Sequence, residues 1–137
     1  MKTKLKIAQI PVLILSGTIL ILIGATIIMS PTNFYSSYGI DIGSNISLLS
    51  ELKAPAGLLL AAGLFMILST FTRSRVDTAL KLAALIYLSY AVSRIASMLF
   101  DGVPASGLVM ATAFEVFIGL ACLAVTNINK TPDVEVA

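Results

Sequence analysis

The sequence predicts an all-α fold: a four-helix transmembrane bundle with a short interfacial helix after the first span. Of the 137 residues, 58% are hydrophobic and 12% are charged, whereas soluble domains are about half apolar and about a quarter charged. Four apolar segments are each long enough to span a bilayer as a helix, which takes roughly 20 residues. The polar stretches between them are short, so one integral membrane domain over residues 1–137 accounts for the chain.

The composition also excludes several kinds of chemistry. The chain has no histidine and one cysteine, Cys122. An imidazole base, a histidine-ligated metal or haem and an internal disulfide are therefore excluded. The sequence shows no metal-ligand spacing, no phosphate-binding glycine loop and no nucleophile–base pair. We therefore predict no catalytic residue, no metal site and no cofactor, and we expect Cys122 to be a small buried hydrophobe.

The first predicted span covers residues 7–29, directly after a lysine-rich N-terminus. A cleaved signal peptide has an apolar region of only about 7–15 residues that ends in a small-x-small site. This segment is longer and offers no good site of that kind, so we expect an uncleaved helix. Gly17 and Gly24, seven residues apart, share one face of it, on which a neighbouring helix can pack closely.

A short helix is predicted directly after the first span. Ser30 is a suitable N-cap, Pro31 a suitable first helical residue and Gly39 a suitable end. We expect this helix to lie at the membrane interface, where aromatic side chains concentrate. Its aromatic anchors would be Phe34, Tyr35 and Tyr38.

Three further spans are predicted at residues 48–71, 79–100 and 106–126. A short basic turn at 72–78 separates the second span from the third. The polar tail at 127–137 is expected to be loose. With four spans, both termini and the basic turn therefore lie on the same side of the membrane.

The distribution of basic residues predicts the orientation. Basic residues concentrate on the cytoplasmic side of membrane proteins, and here nearly all of them lie on the side of the two termini. We therefore expect cytoplasmic termini in the inner (plasma) membrane. The basic residues on the predicted cytoplasmic side are Lys2, Lys4, Lys6, Arg73, Arg75, Lys81 and Lys130, and the other side holds Lys53.

Arg94 and Glu115 are charged residues inside the third and fourth spans, which a tight turn around Val103 joins. Arg94 precedes Val103 by nine residues, and Glu115 follows it by twelve. At the helical rise, the difference of three residues corresponds to roughly 4.5 Å in depth. An arginine side chain covers that distance, so we predict that Arg94 and Glu115 pair.

Further polar residues join this pair in a predicted cluster. On both helices, polar and aromatic residues near Arg94 and Glu115 recur with the helical period and share one stripe. Glu51 lies at a similar depth and is predicted as a second carboxylate for Arg94. Lys53 points away from Glu51 and would either snorkel outward or reach Asp101. The predicted cluster consists of Glu51, Lys53, Tyr87, Tyr90, Arg94, Ser97, Asp101, Thr112 and Glu115.

Three interpretations of this cluster remain open. A lone charge within the bilayer costs from a few to above ten kcal/mol, and pairing removes most of that cost. The Arg94–Glu115 pair would then be a structural staple that fixes helix register. The second interpretation is a polar pocket in the outer leaflet, which binds a small anion or a lipid head group. The third is ion or proton transport, for which the chain has no histidine to relay protons.

Several of these residues stand in a pattern known from one protein family. They are the segment Glu51–Gly57 (ELKAPAG), Arg94, the segment Asp101–Pro104 (DGVP), Glu115 and the aromatic segment Phe34–Gly39. With them the chain resembles the bacterial domain-of-unknown-function family 4345, small four-span proteins similar in architecture to DoxX-like families. Lys53 stands where this family more often has arginine. The resemblance covers nearly the whole chain and implies the bundle, with no established activity.

The leading expectation is a non-enzymatic inner-membrane protein whose polar pocket binds a lipid head group, a quinone-like molecule or a partner membrane subunit. The first alternative is a small transporter or channel component, a homo-oligomer formed through the Gly17/Gly24 or the Gly57/Ala61 face. The second is an enzyme on a lipid-soluble substrate, with Glu115 or Tyr90 as proton donor. Membrane lipid is an expected partner, and nucleic acid is not.

Overall fold

The computed structural model describes the backbone of residues 2–127 and the side chains of residues 8–126. This part of the chain is helical and contains no strand. The predicted tail beyond Asn127 and the N-terminal lysine side chains lie outside the described residues. The helices are α1 (Lys2–Met29), α2 (Pro31–Ser36), α3 (Ile46–Ser69), α4 (Arg73–Phe100) and α5 (Ser106–Asn127).

Four of these helices are long and apolar enough to cross a membrane, which confirms the predicted fold class. The spans that meet both criteria are Ala8–Met29, Ile46–Ser69, Arg73–Phe100 and Ser106–Thr126. The short helix α2 follows the first of them, as predicted. Gly39 beyond it adopts φ +76°, the left-handed conformation that glycine enters without a steric penalty.

Three helix starts differ from the prediction, and the first is that of α1, which begins at Lys2 instead of residue 7. α3 begins at Ile46 because the side chain of Asn45 caps it: Oδ1 accepts a hydrogen bond from the backbone N–H of Leu48 at 3.1 Å. α4 begins at Arg73 instead of near Ala79, so the predicted basic turn is its first two turns. The segment from Arg73 contains no glycine or proline, and the helix runs through it without a break.

Close backbone contacts between small residues join α1 to α3. A Cβ added to Gly17 would lie 2.9 Å from the carbonyl oxygen of Gly63, and one added to Gly24 would lie 2.7 Å from that of Ala56. The face shared by Gly17 and Gly24 is thus covered by α3 of the same chain. It is not free for the oligomer contact expected from the sequence. Gly57, by contrast, has open space beside it.

Hydrogen bonds join α1 to α4 at mid-height of the bundle and α1 to α5 near the end where the termini lie. The hydroxyl of Tyr87 donates to the carbonyl oxygen of Ser16 at 2.8 Å. Gln9 Nε2 donates to the carbonyl oxygen of Val125 at 3.1 Å. Within the described residues, α3 and α5 do not contact each other. They therefore occupy opposite corners of the bundle.

The opposite end of the bundle carries α2, the start of α3 and the α4–α5 turn, and is called the α2 end. Phe34 packs edge-on against Tyr35 and Tyr38, with ring centroids 5.2 and 5.5 Å apart. Tyr38 in turn lies against the start of α5, where a Cβ added to Gly107 would be 3.1 Å from Tyr38 Cε1. The aromatic segment therefore lies across the bundle and covers its interior at this end.

Candidate functional site

A cavity of about 540 Å³ lies at the α2 end, between the five helices. Its wall is mainly aliphatic, from the second half of α1, the first half of α3 and the facing parts of α4 and α5. Polar and aromatic groups concentrate on the sides formed by α2, α4 and α5. They are Phe34, Tyr35, Tyr38, Tyr87, Tyr90, Arg94, Phe114 and Glu115.

Arg94 and Glu115 form an ion pair in this cavity, with Arg94 Nε 3.2 Å from Glu115 Oε1. The Arg94 side chain is 33% exposed and that of Glu115 is 15% exposed. Both charged groups are therefore largely buried within the protein, and their opposite charges compensate each other. The second carboxylate oxygen, Oε2, is buried and accepts no hydrogen bond from the described residues.

The local structure around the α4–α5 turn explains why these two side chains meet. Gly102 adopts φ +105°, which allows the chain to reverse tightly. Farther along, α5 approaches α4 closely, since a Cβ added to Gly119 would lie 2.6 Å from Leu88 Cγ. The stripe of α5 that contains Glu115 thus faces α4, at the depth that the spacing about the turn predicted.

Two tyrosines accompany the ion pair on the cavity wall. Tyr90 is half-buried on α4, one helical turn before Arg94, and Tyr35 reaches the cavity from α2. Burial raises the pKa of Tyr35 above its ordinary value, and the nearby charge of Arg94 lowers it to a smaller extent. The Tyr35 hydroxyl is therefore neutral at physiological pH and can donate a hydrogen bond to a bound molecule.

Tyr87 and Thr112 are buried, as expected for the predicted cluster, but their hydroxyl groups are used within the protein. Tyr87 donates to Ser16 on α1, so its ring lines the cavity while its hydroxyl joins two helices. Thr112 Oγ1 donates to the carbonyl oxygen of Leu108 at 2.9 Å, one turn earlier on α5. Neither hydroxyl is free to donate a hydrogen bond to a ligand in this arrangement.

Four other residues of the predicted cluster lie outside the cavity. Glu51 and Lys53 are exposed on α3, and neither pairs with Arg94 or Asp101. The prediction of Glu51 as a second carboxylate on Arg94 is therefore wrong. Contacts with α1 fix the rotation of α3, and this rotation presents Leu52, Pro55, Ala56 and Leu59 to the cavity.

Ser97 and Asp101 are likewise exposed, and they bond to each other near the end of α4. Ser97 Oγ donates to Asp101 Oδ2 at 2.8 Å. The alternative contact of Lys53 with Asp101 is not formed between these described residues. Both residues belong to the outer surface of the α2 end.

The sequence alone did not assign the aromatic residues of α2 to the cavity. Phe34 and Tyr38 are four residues apart, a spacing that indicates a shared helix face but not what the face covers. Gln9 and Ser16 were also missed. They are polar residues seven apart in an apolar span, which is a signal for a buried polar contact. The structure shows that contact for both.

The model of one protein family, described as Domain of unknown function (DUF4345), matches residues 7–126. The chain belongs to this family. This confirms the resemblance found in the sequence, over nearly all of the described residues. No curated protein and no solved structure matches the chain. The description of the family gives no activity, so function has to be argued from the cavity itself.

Proposed function

We propose that this protein is a non-enzymatic, multi-pass protein of the inner membrane that binds the polar head of a lipid-soluble molecule in the cavity at the α2 end. The observation that carries the proposal is the Arg94–Glu115 pair on the wall of an otherwise mainly apolar cavity. Ionisable residues inside transmembrane segments are costly and mark functional sites by default. A cavity of about 540 Å³ also falls in the ordinary range of ligand pockets, about 300–1,000 Å³.

The lateral wall of the cavity supports a ligand that arrives from the bilayer. Met110 and Phe114 line the cavity and are also exposed on the outer surface of α5. In a membrane, this part of α5 faces lipid. A molecule with an apolar tail could therefore leave its tail among the acyl chains while its head contacts Arg94 and Glu115.

The proposed orientation places this cavity in the outer leaflet. Arg73 and Arg75 begin α4 at the end opposite α2, and basic residues concentrate on the cytoplasmic side. Single cysteines at Ser44 and Ser74, both exposed and at opposite ends, test this with a membrane-impermeant maleimide on intact cells. Ser44→Cys should be labelled and Ser74→Cys should not. The reverse pattern would overturn the orientation, and the native Cys122, which is buried, serves as the background control.

Ligand binding is tested by native mass spectrometry of the protein purified in mild detergent. Ala111 lines the cavity from α5, whereas Ala113 is exposed on the same helix and outside it. Ala111→Phe should fill the cavity and remove a co-purifying lipid-soluble molecule, while the matched control Ala113→Phe should retain it. Retention of the molecule in both variants would place it elsewhere and overturn the proposal.

A homo-oligomer or a partner membrane subunit remains a proposal for the open face of α3. Gly57 has free space beside it and Ala61 is exposed one turn later, which is the small-residue pattern that helices use to approach closely in lipid. Cross-linking of single cysteines at Ala61 in native membranes tests it. The transporter and enzyme alternatives stay predictions from the sequence.

A further inference from the structure

We infer that the cavity selects a hydroxyl-bearing aromatic head, that of a lipid-soluble hydroquinone, over the corresponding quinone and over a phospholipid head group. The inference rests on the proposed function, because it names the class of ligand for the same cavity. It follows from the hydrogen-bonding groups that the ion pair leaves available, from the net charge of the site and from its depth.

The first step concerns the hydrogen bond that Glu115 lacks. Oε1 accepts from Arg94, whereas the buried Oε2 has no donor among the described residues. A buried carboxylate oxygen is stabilised when it accepts a hydrogen bond, and leaving it without one is costly. Oε2 has almost no accessible surface, so the carboxylate has to turn toward the cavity that Glu115 lines before a ligand can donate to it. A matching ligand therefore carries an O–H or N–H group. A hydroquinone has two hydroxyl groups, whereas a quinone has only carbonyl acceptors.

The second step concerns the hydrogen-bond acceptors that a ligand needs in order to match the donors of the site. Arg94 uses Nε for Glu115, and a guanidinium carries further N–H groups in a fixed planar fork. The hydroxyl of Tyr35 is a further donor on the α2 side. A hydroquinone oxygen can donate to Glu115, and its lone pairs can accept from these groups. A purely donating or purely accepting head would satisfy only half of the site.

The third step uses charge to discriminate against phosphate-bearing head groups. Arg94 and Glu115 neutralise each other, so the pair offers no net positive charge to an anion. A phosphodiester that reached Arg94 would also lie near the Glu115 carboxylate and be repelled by it. Anion sites in proteins are built with an excess of donors or positive charge, and here the nearest basic residue on α3, Lys53, is exposed outside the cavity.

The depth and lining of the cavity favour an aromatic ring over a zwitterionic head group. Arg94 lies six residues before the end of α4 at Phe100, which is roughly 9 Å along the helix axis. The pair is therefore beneath the surface where phospholipid head groups lie. Rings from α2, α4 and α5 surround it, and aromatic pairs at centroid distances of about 4.5–7 Å contribute beyond their burial. The aromatic rings on the wall are Phe34, Tyr35, Tyr38, Tyr87, Tyr90 and Phe114.

The experiment compares both redox forms of one probe on the intact protein. A decyl-substituted benzoquinone, and the same compound reduced anaerobically with dithionite, are titrated against the protein in lipid nanodiscs. Bound probe is quantified by chromatography after separation from free probe, and empty nanodiscs give the background. We expect the hydroquinone to bind about 10- to 100-fold more tightly, the range that one hydrogen bond to a charged group supplies.

The variant Glu115→Gln tests whether the preference for the hydroquinone depends on Glu115 Oε2. When the new side-chain amide accepts from Arg94 through its carbonyl oxygen, its N–H₂ group replaces the acceptor Oε2. The site then offers a donor, so the preference should disappear or pass to the quinone. Asp101→Asn removes a carboxylate at the same end but outside the cavity, and should keep the preference. If Glu115→Gln does not fold, the comparison in the unmodified protein still decides.

Each outcome has a distinct meaning. Equal binding of both forms, or tighter binding of the quinone to the unmodified protein, would overturn the hydroquinone inference and leave the proposed cavity function intact. Displacement of both forms by phosphatidylethanolamine or phosphatidylglycerol would do the same and identify a phospholipid site. Absence of probe binding, or binding that Ala111→Phe does not reduce, would also overturn the hydroquinone inference. The proposed function itself is overturned only by the native mass spectrometry, when the co-purifying molecule is retained in Ala111→Phe.

Discussion

The ion pair predicts an unequal response to the loss of its two partners. Removing one partner of a buried pair costs about 3–5 kcal/mol, because the other charge is left uncompensated. Arg94→Met leaves Glu115, whose side chain is only 15% exposed, in an apolar wall with no other cation nearby among the described residues. We therefore expect a loss of about 3–5 kcal/mol in the free energy of unfolding for this variant.

Glu115→Leu should be less harmful, because Arg94 is already 33% exposed and has a long side chain. Arginine near a helix end can extend toward the interface and keep its charge in water. We therefore expect the free energy of unfolding to fall by about 1–3 kcal/mol, less than for Arg94→Met, because the remaining charge is partly solvated. The double variant Arg94→Met/Glu115→Leu replaces the pair by apolar packing and should return to within about 1 kcal/mol of the unmodified protein.

These free energies are measurable by SDS titration in mixed micelles, with helix content followed by circular dichroism. The exposed pair Asp77–Lys81 on α4 provides the control, since removing Lys81 should cost only about 0.3–0.5 kcal/mol. A double variant as unstable as Arg94→Met would refute the reasoning, because the pair would then contribute more than mutual compensation. Equal losses in the two single variants would refute the assigned burial.

Three other changes test how the bundle is held together. Gly63→Ala should cost about 1–3 kcal/mol, because the new Cβ would lie 2.6 Å from the backbone of α1, whereas the control Gly57→Ala has open space and should not destabilise; SDS titration compares the two. Tyr87→Phe removes the bond to Ser16 and should cost about 0.5–1.5 kcal/mol in the same titration, and an unchanged stability would show that the bond is not formed. Asn45→Ala removes the cap of α3 and should cost about 1 kcal/mol, with faster hydrogen exchange confined to the first turn of α3; protection that stays unchanged there would contradict the cap.

The axial positions of the side chains could be predicted from the sequence, because the helical rise is fixed. Counting residues from the turn at Val103 placed Arg94 and Glu115 at compatible depths, and the structure joins them. The rotation of a helix about its axis follows no such rule. Glu51 has a suitable depth, but α3 turns it outward, and the cause is a contact with α1 that involves Gly17 and Gly63.

The aromatic segment Phe34–Gly39 also could be predicted only in part from the sequence, for a different reason. The signals at Ser30, Pro31 and Gly39 were sufficient to predict a helix, and they are local. The surface that Tyr35 and Tyr38 cover depends on where α5 begins, which is a contact between segments about 70 residues apart in sequence. Local patterns therefore predicted the element but not its role in covering the cavity.

The cavity follows from the way in which two helix pairs are joined. α1 packs closely on α3 and α5 packs closely on α4, through glycines in both cases. Of the hydrogen bonds between the pairs, the one from Gln9 lies at the end with the termini and the one from Tyr87 lies at mid-height of the bundle. At the α2 end the space between the pairs is left to the cavity. Its ion pair belongs to α4 and α5, whereas its aromatic cover continues from α1. A head group bound there would contact both helix pairs at once. It would connect them at the end of the bundle where the hydrogen bonds of Gln9 and Tyr87 do not.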